Sequence, residues 1–539
     1  MFTDRLKVTL TLSAGSQEFA VPGGHVKLMA VRATPYGFQL SVDFWVVSQA
    51  SQAEDTLFAW FTAPDAITAS LTIDRAFDEE GQEAGTLAFK GLVTGREVTE
   101  QGFPDIDGEP VLQRRYRAVV EDRGSALWRE HFPTRLYLDQ TFTQLVSDNT
   151  PQGVTVTVAE WSAAGESRHI QSLGLGADGN GASFYDFLHW ALDQENAGLF
   201  CDPASGAYEL RGKKKDGTTS STDIPREDVA GLEVRFPPVR RDAAKVLNTY
   251  VGASTRSKDV ANADAATGVR RDHLLTSEVE SVLTARATLE TARLKSHEAA
   301  LRLVFARYPS FTVGMHNLYG FGEDWSTNLF HSGKDWRLYG LALDARAVNQ
   351  GASDDLDEET NSFELDVVAE LELKADAVFH RPGYRAPHWP FYVEGKVVSD
   401  VGSSPERTYD GVKDASTSLE TYTVTVPVFE SKKIKVPYNA NLQPGHFYFP
   451  APRDQRVLVG LHFRAGYIKR FLDWHTGAQL PKDTQGEQLL FGKKAKNETS
   501  VKHVYTDSKP VFTVTRTMDS DTQKLEVSDG TILLEVKEG

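Results

Sequence analysis

Three groups of residues have types and spacings that could do chemistry. Gly174, Gly176 and Gly179 in GLGADG match a dinucleotide fingerprint, in which a tight turn lays backbone N–H groups against a pyrophosphate. That fingerprint needs a βαβ unit and a parallel sheet. The surroundings here read as short alternating strands, so a hairpin or loop before a helix is expected instead. The adjacent carboxylates Glu323 and Asp324 could give a hydrolase an acid and a base. The acidic run DDLDEE (354–359), inside a polar insertion from Asn349 to Ser362, could offer oxygen ligands to calcium. Like charges side by side favour a solvated loop there.

The other reactive side chains are scattered. His316, His331, His380 and His388 lie mostly far apart and read as packed or solvated groups, with no metal expected. Cys201 is the single cysteine, so it cannot form an intramolecular disulfide. It reads as a small buried hydrophobe, with an intersubunit bridge left open. The sequence has no P-loop, HExxH, paired CxxC or GxSxG, so the common phosphoryl-transfer, zinc-hydrolase and serine-hydrolase routes lack their minimal signatures. No catalytic residue, cofactor or metal ligand is expected.

Length and charge narrow the classes further. At 539 residues the chain exceeds what one core holds, so three or more folded units are expected. Hydrophobic residues at 40% and charged residues at 25% fit a folded soluble protein. A formal charge of -17 argues against binding nucleic acid, which depends on lysine and arginine displacing counterions. No run of eighteen apolar residues occurs, and the start alternates apolar and polar residues where a secretory signal would need an apolar block. Assembly in the cytoplasm without a signal peptide is the expectation.

The elements are mainly β. Up to about Phe142, period-two runs such as VKLMAVRA (26–33) and FQLSVDFWVV (38–47) predict a barrel or sandwich. Ser183 is a plausible N-cap for a helix over 183–197, with Phe184, Phe187, Leu188, Ala191 and Leu192 as its apolar stripe and Gly198 as its stop. GLFCDPASGAYELR (198–211) reads as a hairpin. Lys213 to Thr222 reads as a mobile loop with solvated lysines. Apolar spacing over 276–307 predicts one long helix. RPGYRAPHWP (381–390) stiffens the backbone and marks a boundary. Five β-like runs then predict a small barrel of OB type, with a polar insertion at 402–420. The last stretch, HVYTDSKPVFTVTRTMDSDTQKLEVSDGTILLEVKEG, reads as short strands with no core of its own.

SALWREHFPTRLYLDQTFTQLVSD (125–148), SFYDFLHWALDQENAGLF (183–200) and YPSFTVGMHNLYGFGEDW (308–325) stand in an order that resembles the VgrG-like spike and hub proteins of contractile injection systems. These include type VI secretion, extracellular injection particles and contractile phage tails. The resemblance implies a first hub β-barrel region over 1–142 and a second hub region over 143–387, carrying the helices 183–197 and 276–307. It further implies an OB-type barrel over 388–480 and a linker with a short C-terminal shaft over 481–539. The implied shaft is an intertwined trimeric β-prism or β-helix.

Taken singly, the C-terminal strands would leave one apolar face and two edges in water. Three copies wound about one axis would bury those faces and pair the edges. Val511, Thr513, Leu525, Val527, Leu533 and Val536 are the expected packing residues. The resemblance implies a structural homotrimer that adapts a threefold spike to a sixfold tube and baseplate and punctures a target envelope. The implied partners are inner-tube and baseplate proteins, a PAAR-type tip protein and an effector carried on the tip or tube. No hydrolase or effector domain is expected within the chain. Two alternatives remain: a tail-associated peptidoglycan hydrolase using Glu323 and Asp324, or a carbohydrate- or nucleic-acid-binding barrel using Tyr422, Phe447, Tyr448 and Trp474.

Overall fold

The computed structural model describes residues 1–49, 55–76, 85–106, 109–356, 358–398, 411–414, 419–438, 453–474, 477–494 and 496–539. The fold is mostly β. Leu6, Val8, Leu10 and Leu12 alternate with polar residues along β1 (Phe2–Ala14) and turn inward, as a half-buried strand requires. The same two-residue period recurs in β2 (Val26–Thr34) and β4 (Thr68–Arg75), at Phe38 to Val46 of β3 (Gly37–Gln49), at Leu87 to Val93 of β5 (Leu87–Ile106) and at Tyr116 to Val120 of β6 (Glu109–Glu121).

These six strands do not close by themselves. The ring is completed by a hairpin from far along the chain, β7 (Trp336–Ala347) and β8 (Thr360–Leu373), with β7 on β2 and β8 on β1. The barrel expected within 1–142 therefore takes two of its eight strands from the region assigned to the second hub unit. The physical reason is edge satisfaction: β1 and β2 would otherwise present unpaired backbone groups. The same hairpin continues past the barrel, where β8 pairs with Ala300–Phe305 and β7 with Leu318–Gly320. Ala300–Phe305 in turn pairs with Val229–Arg235. The two regions expected as separate units thus share one hairpin and one continuous core.

The long helix expected over 276–307 is shorter. A helix covers Glu280–Arg293, and Ala300–Phe305 is a strand. Leu301, Leu303 and Phe305 face the core at period two, and the open edge of β8 outweighs the helical spacing of that stretch. The helix belongs to an insertion with its own small core of Ala244, Val246, Val260, Leu283 and Leu294.

The helix of the 183–200 segment covers Phe184–Gln194, and a capping box joins Ser183 and Asp186 at its start. It ends at Asn196, whose φ of 49° terminates the turn two residues before the predicted stop. Gly198 opens the next strand instead, and a Cβ there would lie 2.4 Å from the Phe379 ring. The expected hairpin is present as Gly198–Asp202 and Ala207–Arg211. Trp128 of the 125–148 segment is fully buried against Phe184 and Tyr208, so two of the segments that carry the resemblance form one core.

Two stretches expected to be solvated loops are docked. The acidic loop packs onto Gly23 and Gly24, where a Cβ would meet the Glu359 and Asp355 carbonyl oxygens at 2.1 and 1.9 Å. Beneath it Lys27 is fully buried and donates to the Asp354 carbonyl at 2.9 Å, which offsets the loop's negative charge. In the 213–222 stretch, Lys214 is buried beside Glu372 and Asp376.

After Pro390 the chain forms β9 (Phe391–Val398), β10 (Glu420–Val426), β11 (Lys432–Pro437), β12 (Arg456–His462) and β13 (Ala465–Phe471). β9 pairs with β10 and β12, β10 with β11, and β12 with β13. A parallel bridge from Tyr438 to Ile468 closes the ring. Most of the polar insertion at 402–420 lies outside the described residues.

Candidate assembly interface

The last five strands make a separate antiparallel sheet: β14 (Gly486–Lys494), β15 (Asn497–Thr506), β16 (Lys509–Met518), β17 (Asp521–Ser528) and β18 (Thr531–Lys537). Two-residue turns at Asp507–Ser508, Asp519–Ser520 and Asp529–Gly530 join the last four. Asp507, Ser508, Asp519 and Gly530 adopt positive φ there, as tight hairpins require.

Directly opposed residues share a face, so the register sorts the side chains. Leu489, Val501, Val514, Leu525 and Leu534 form an aliphatic column crossing all five strands. Beside it run His503, Phe512, Val527 and Ile532, and Val536 completes the tip of the same face. The opposite face carries Lys502, Thr513, Glu526 and Leu533 in one row and Ser500, Thr515, Lys524 and Glu535 in the next.

Nothing in the described chain covers the aliphatic face. Among the described residues from 477 onward, Ser500 and Thr513 alone are buried, and none belongs to a hydrophobic cluster. At the tip Ile532, Leu534 and Val536 are 73%, 77% and 72% exposed. An apolar surface of this extent on an edge-bearing sheet marks an interaction surface.

The six residues expected to pack the shaft divide between the faces. Leu525, Val527 and Val536 lie on the aliphatic side, whereas Val511, Thr513 and Leu533 lie on the other. Alternation along each strand was legible, but each two-residue turn exchanges odd and even positions between neighbouring strands. That selection leaves out Phe512, Val514, Ile532 and Leu534 of the aliphatic face. The turn pairs DS, DS and DG were the signal that could have corrected it.

The other candidates resolve into structural roles. GLGADG follows a strand (Ser167–Gly174) that is antiparallel to its neighbour Thr134–Thr141, so the βαβ context is absent there. Gly179 takes a turn φ of 79°, and a Cβ on Gly174 would lie 2.2 Å from the Phe391 ring. Asp324 accepts the Arg226 N–H at 2.6 Å, capping a short 3-10 turn. Tyr422 is buried in the small barrel with its hydroxyl on Glu420, while Trp474 is exposed. Phe447 and Tyr448 lie outside the described residues.

Cys201 is buried, and burial raises its thiol pKa well above the ordinary value. His316 is also buried, 3.3 Å from the Cys201 carbonyl, and desolvation lowers its pKa to about 4. His331 is buried between Phe321 and Trp325. His388 donates its backbone N–H to Asn180. His380 alone of the four faces carboxylates, with its Nε2 2.8 Å from Glu372.

No family model matches the chain, and no curated protein matches it. Among solved structures it is similar to a chain of the half-lidded Francisella PdpA-VgrG complex. That match has a TM-score of 0.74 at 14% identity and covers 99% of this chain and 88% of the other. A chain of the lidless PdpA-VgrG complex matches with a TM-score of 0.72 at 13% identity, covering 100% of this chain and 99% of the other. The VgrG-like fold is therefore shared along essentially the whole length.

Proposed function

We propose that this chain is a structural hub and spike subunit of a contractile injection system, working as a homotrimer and without covalent chemistry. The observation that carries the reading is the aliphatic column from Leu489 to Leu534, which one chain leaves uncovered. Three copies around an axis bury it, each packing a different surface of its neighbour, and the arrangement closes. Burying each leucine or valine contributes about 1.5–3 kcal/mol. Such a core resists separation of the chains under load, as a puncturing shaft requires.

In this reading the barrels built on the shared hairpin form the hub that seats on the inner tube and baseplate, adapting threefold to sixfold symmetry. The OB-type barrel spaces hub from shaft, and the exposed tip strand β18 receives a PAAR-type protein that brings any effector. The chain is assembled in the cytoplasm and leaves the cell on firing. The hydrolase reading is weaker because Asp324 is engaged in a backbone cap.

Electron-microscopy averages of the purified full-length chain test the proposal. Threefold particles with a thin central projection support it, and single-chain or twofold particles contradict it.

A further inference from the structure

A second cluster, remote from the shaft, has a chemistry that the mechanical reading leaves unused. Three ligand-type side chains converge where the hub meets the linker to the small barrel: His297 ahead of the strand Ala300–Phe305, Glu372 near the end of β8 and His380 in the linker, with Asp376 of the linker behind His297. Nitrogen and oxygen atoms of His297, Glu372 and His380 lie within 4.8 Å of one another. Asp376 Oδ2 is 3.1 Å from His297 Nδ1, and Glu372 Oε2 is 2.8 Å from His380 Nε2. Both carboxylates are almost fully buried.

Supporting contacts fix the orientation of these groups. Arg337 Nη1 holds the other Glu372 oxygen at 2.9 Å, leaving Oε2 turned to the centre. The Glu298 N–H donates to Asp376 Oδ2 at 2.9 Å. The His380 ring is stacked between Tyr339, at 4.1 Å and 1°, and His297, at 4.4 Å and 20°. Outer contacts of this kind set the direction and basicity of metal ligands.

The centre already holds a cation. The Lys214 ammonium bonds Glu372 Oε2 and lies 3.3 Å from Asp376 Oδ1. Glu372 and Asp376 both have carboxyl pKa values held below the ordinary range against the effect of burial, by hydrogen bonds to His380 and His297 and by the Lys214 charge. Two imidazoles with one carboxylate make a borderline nitrogen and oxygen donor set that leaves a fourth position to water, suited to zinc and its neighbours more than to calcium or magnesium.

We propose that His297, Glu372 and His380 form a transition-metal site of the zinc class, with Asp376 orienting His297 from behind, for which Lys214 is the built-in competitor. An entering divalent ion displaces the ammonium and adds a direct link from His380 of the linker to Glu372 and His297, clamping the linker against the hub. The proposal stands independently of trimer formation.

Cobalt titration of the chelator-treated full-length protein tests it, using Co2+ as the visible probe for a zinc-class site. The wild type is expected to bind one Co2+ per chain with the absorption band of a tetrahedral site. His380→Gln is expected to weaken binding by about tenfold or more, in the range seen when a metal site loses a supporting or ligating group. Lys214→Met, which removes the competitor and no ligand, is expected to tighten it. Absence of the band in the wild type, or an undiminished band in His380→Gln, overturns the proposal. Should His380→Gln fail to fold, Lys214→Met decides, because binding no tighter than wild type also overturns it.

Discussion

Leu525 and Leu534 stand opposite one another across β17 and β18 on the aliphatic face, while Leu533, one residue away, faces Glu526 on the other side of the sheet. Neighbouring leucines in one tip strand therefore have different surroundings once the aliphatic face is covered.

Leu534→Lys is expected to weaken chain association strongly, because each of three copies would carry a charge into an apolar core, an unfavourable transfer unless the charge is paired. Leu533→Lys is expected to change association by less than a tenth of that effect on the dissociation constant. Sedimentation of both variants over a dilution series checks the contrast. Equal loss in the two variants would contradict the face assignment.

Acid should destabilise the folded chain before it protonates most carboxylates. His189 and His316 are fully buried, and desolvation lowers their pKa values to about 3 and about 4. In the unfolded chain both titrate near about 6.5. The unfolded state then binds more protons within that window, so stability is full above about pH 6.5 and falls as pH drops toward 4 and 3. Asp376, also held low, adds a loss further into acid. Urea midpoints measured from pH 8 to 4 should show this slope, and His316→Gln should flatten it.

The cap of the helix Phe184–Gln194 also anchors the linker. Ser183 Oγ accepts the Asp186 N–H at 3.3 Å, and Asp186 accepts the Ser183 N–H at 2.9 Å and the Arg385 N–H at 2.9 Å. Ser183→Ala is expected to cost about 1 kcal/mol. Asp186→Ala should cost more, about 2 kcal/mol, because it strands two backbone donors rather than one. Denaturant unfolding monitored by tryptophan fluorescence reads both.

Gly24→Ala is expected to destabilise the hub by about 1–3 kcal/mol, since the new methyl meets backbone and the acidic loop must shift. Gly165→Ala, with no neighbour within 4 Å, should be nearly neutral. Thermal unfolding of the pair distinguishes them.

Local patterns were legible where local physics decides. The Ser183 cap, its apolar stripe and the turn at Asp202 to Gly206 follow from residue type and spacing, and the structure places all three as read. What required distant partners was not legible. β7 and β8 complete a barrel begun more than 300 residues earlier, and no feature of β1 or β2 names the hairpin that pairs with them. The helix expected over 276–307 stops at Arg293, and Ala300–Phe305 became a strand because β8 offered an edge. Lys214 looked solvated since its counterions, Glu372 and Asp376, lie over 150 residues away. Shaft alternation was visible, but its facing depended on turn geometry.

The central claim is that three chains complete one shaft, and the mass of the purified full-length protein in solution tests it most directly. Light scattering at micromolar concentration should return the mass of three 59.6 kDa chains. A stable particle with the mass of one chain would contradict the account.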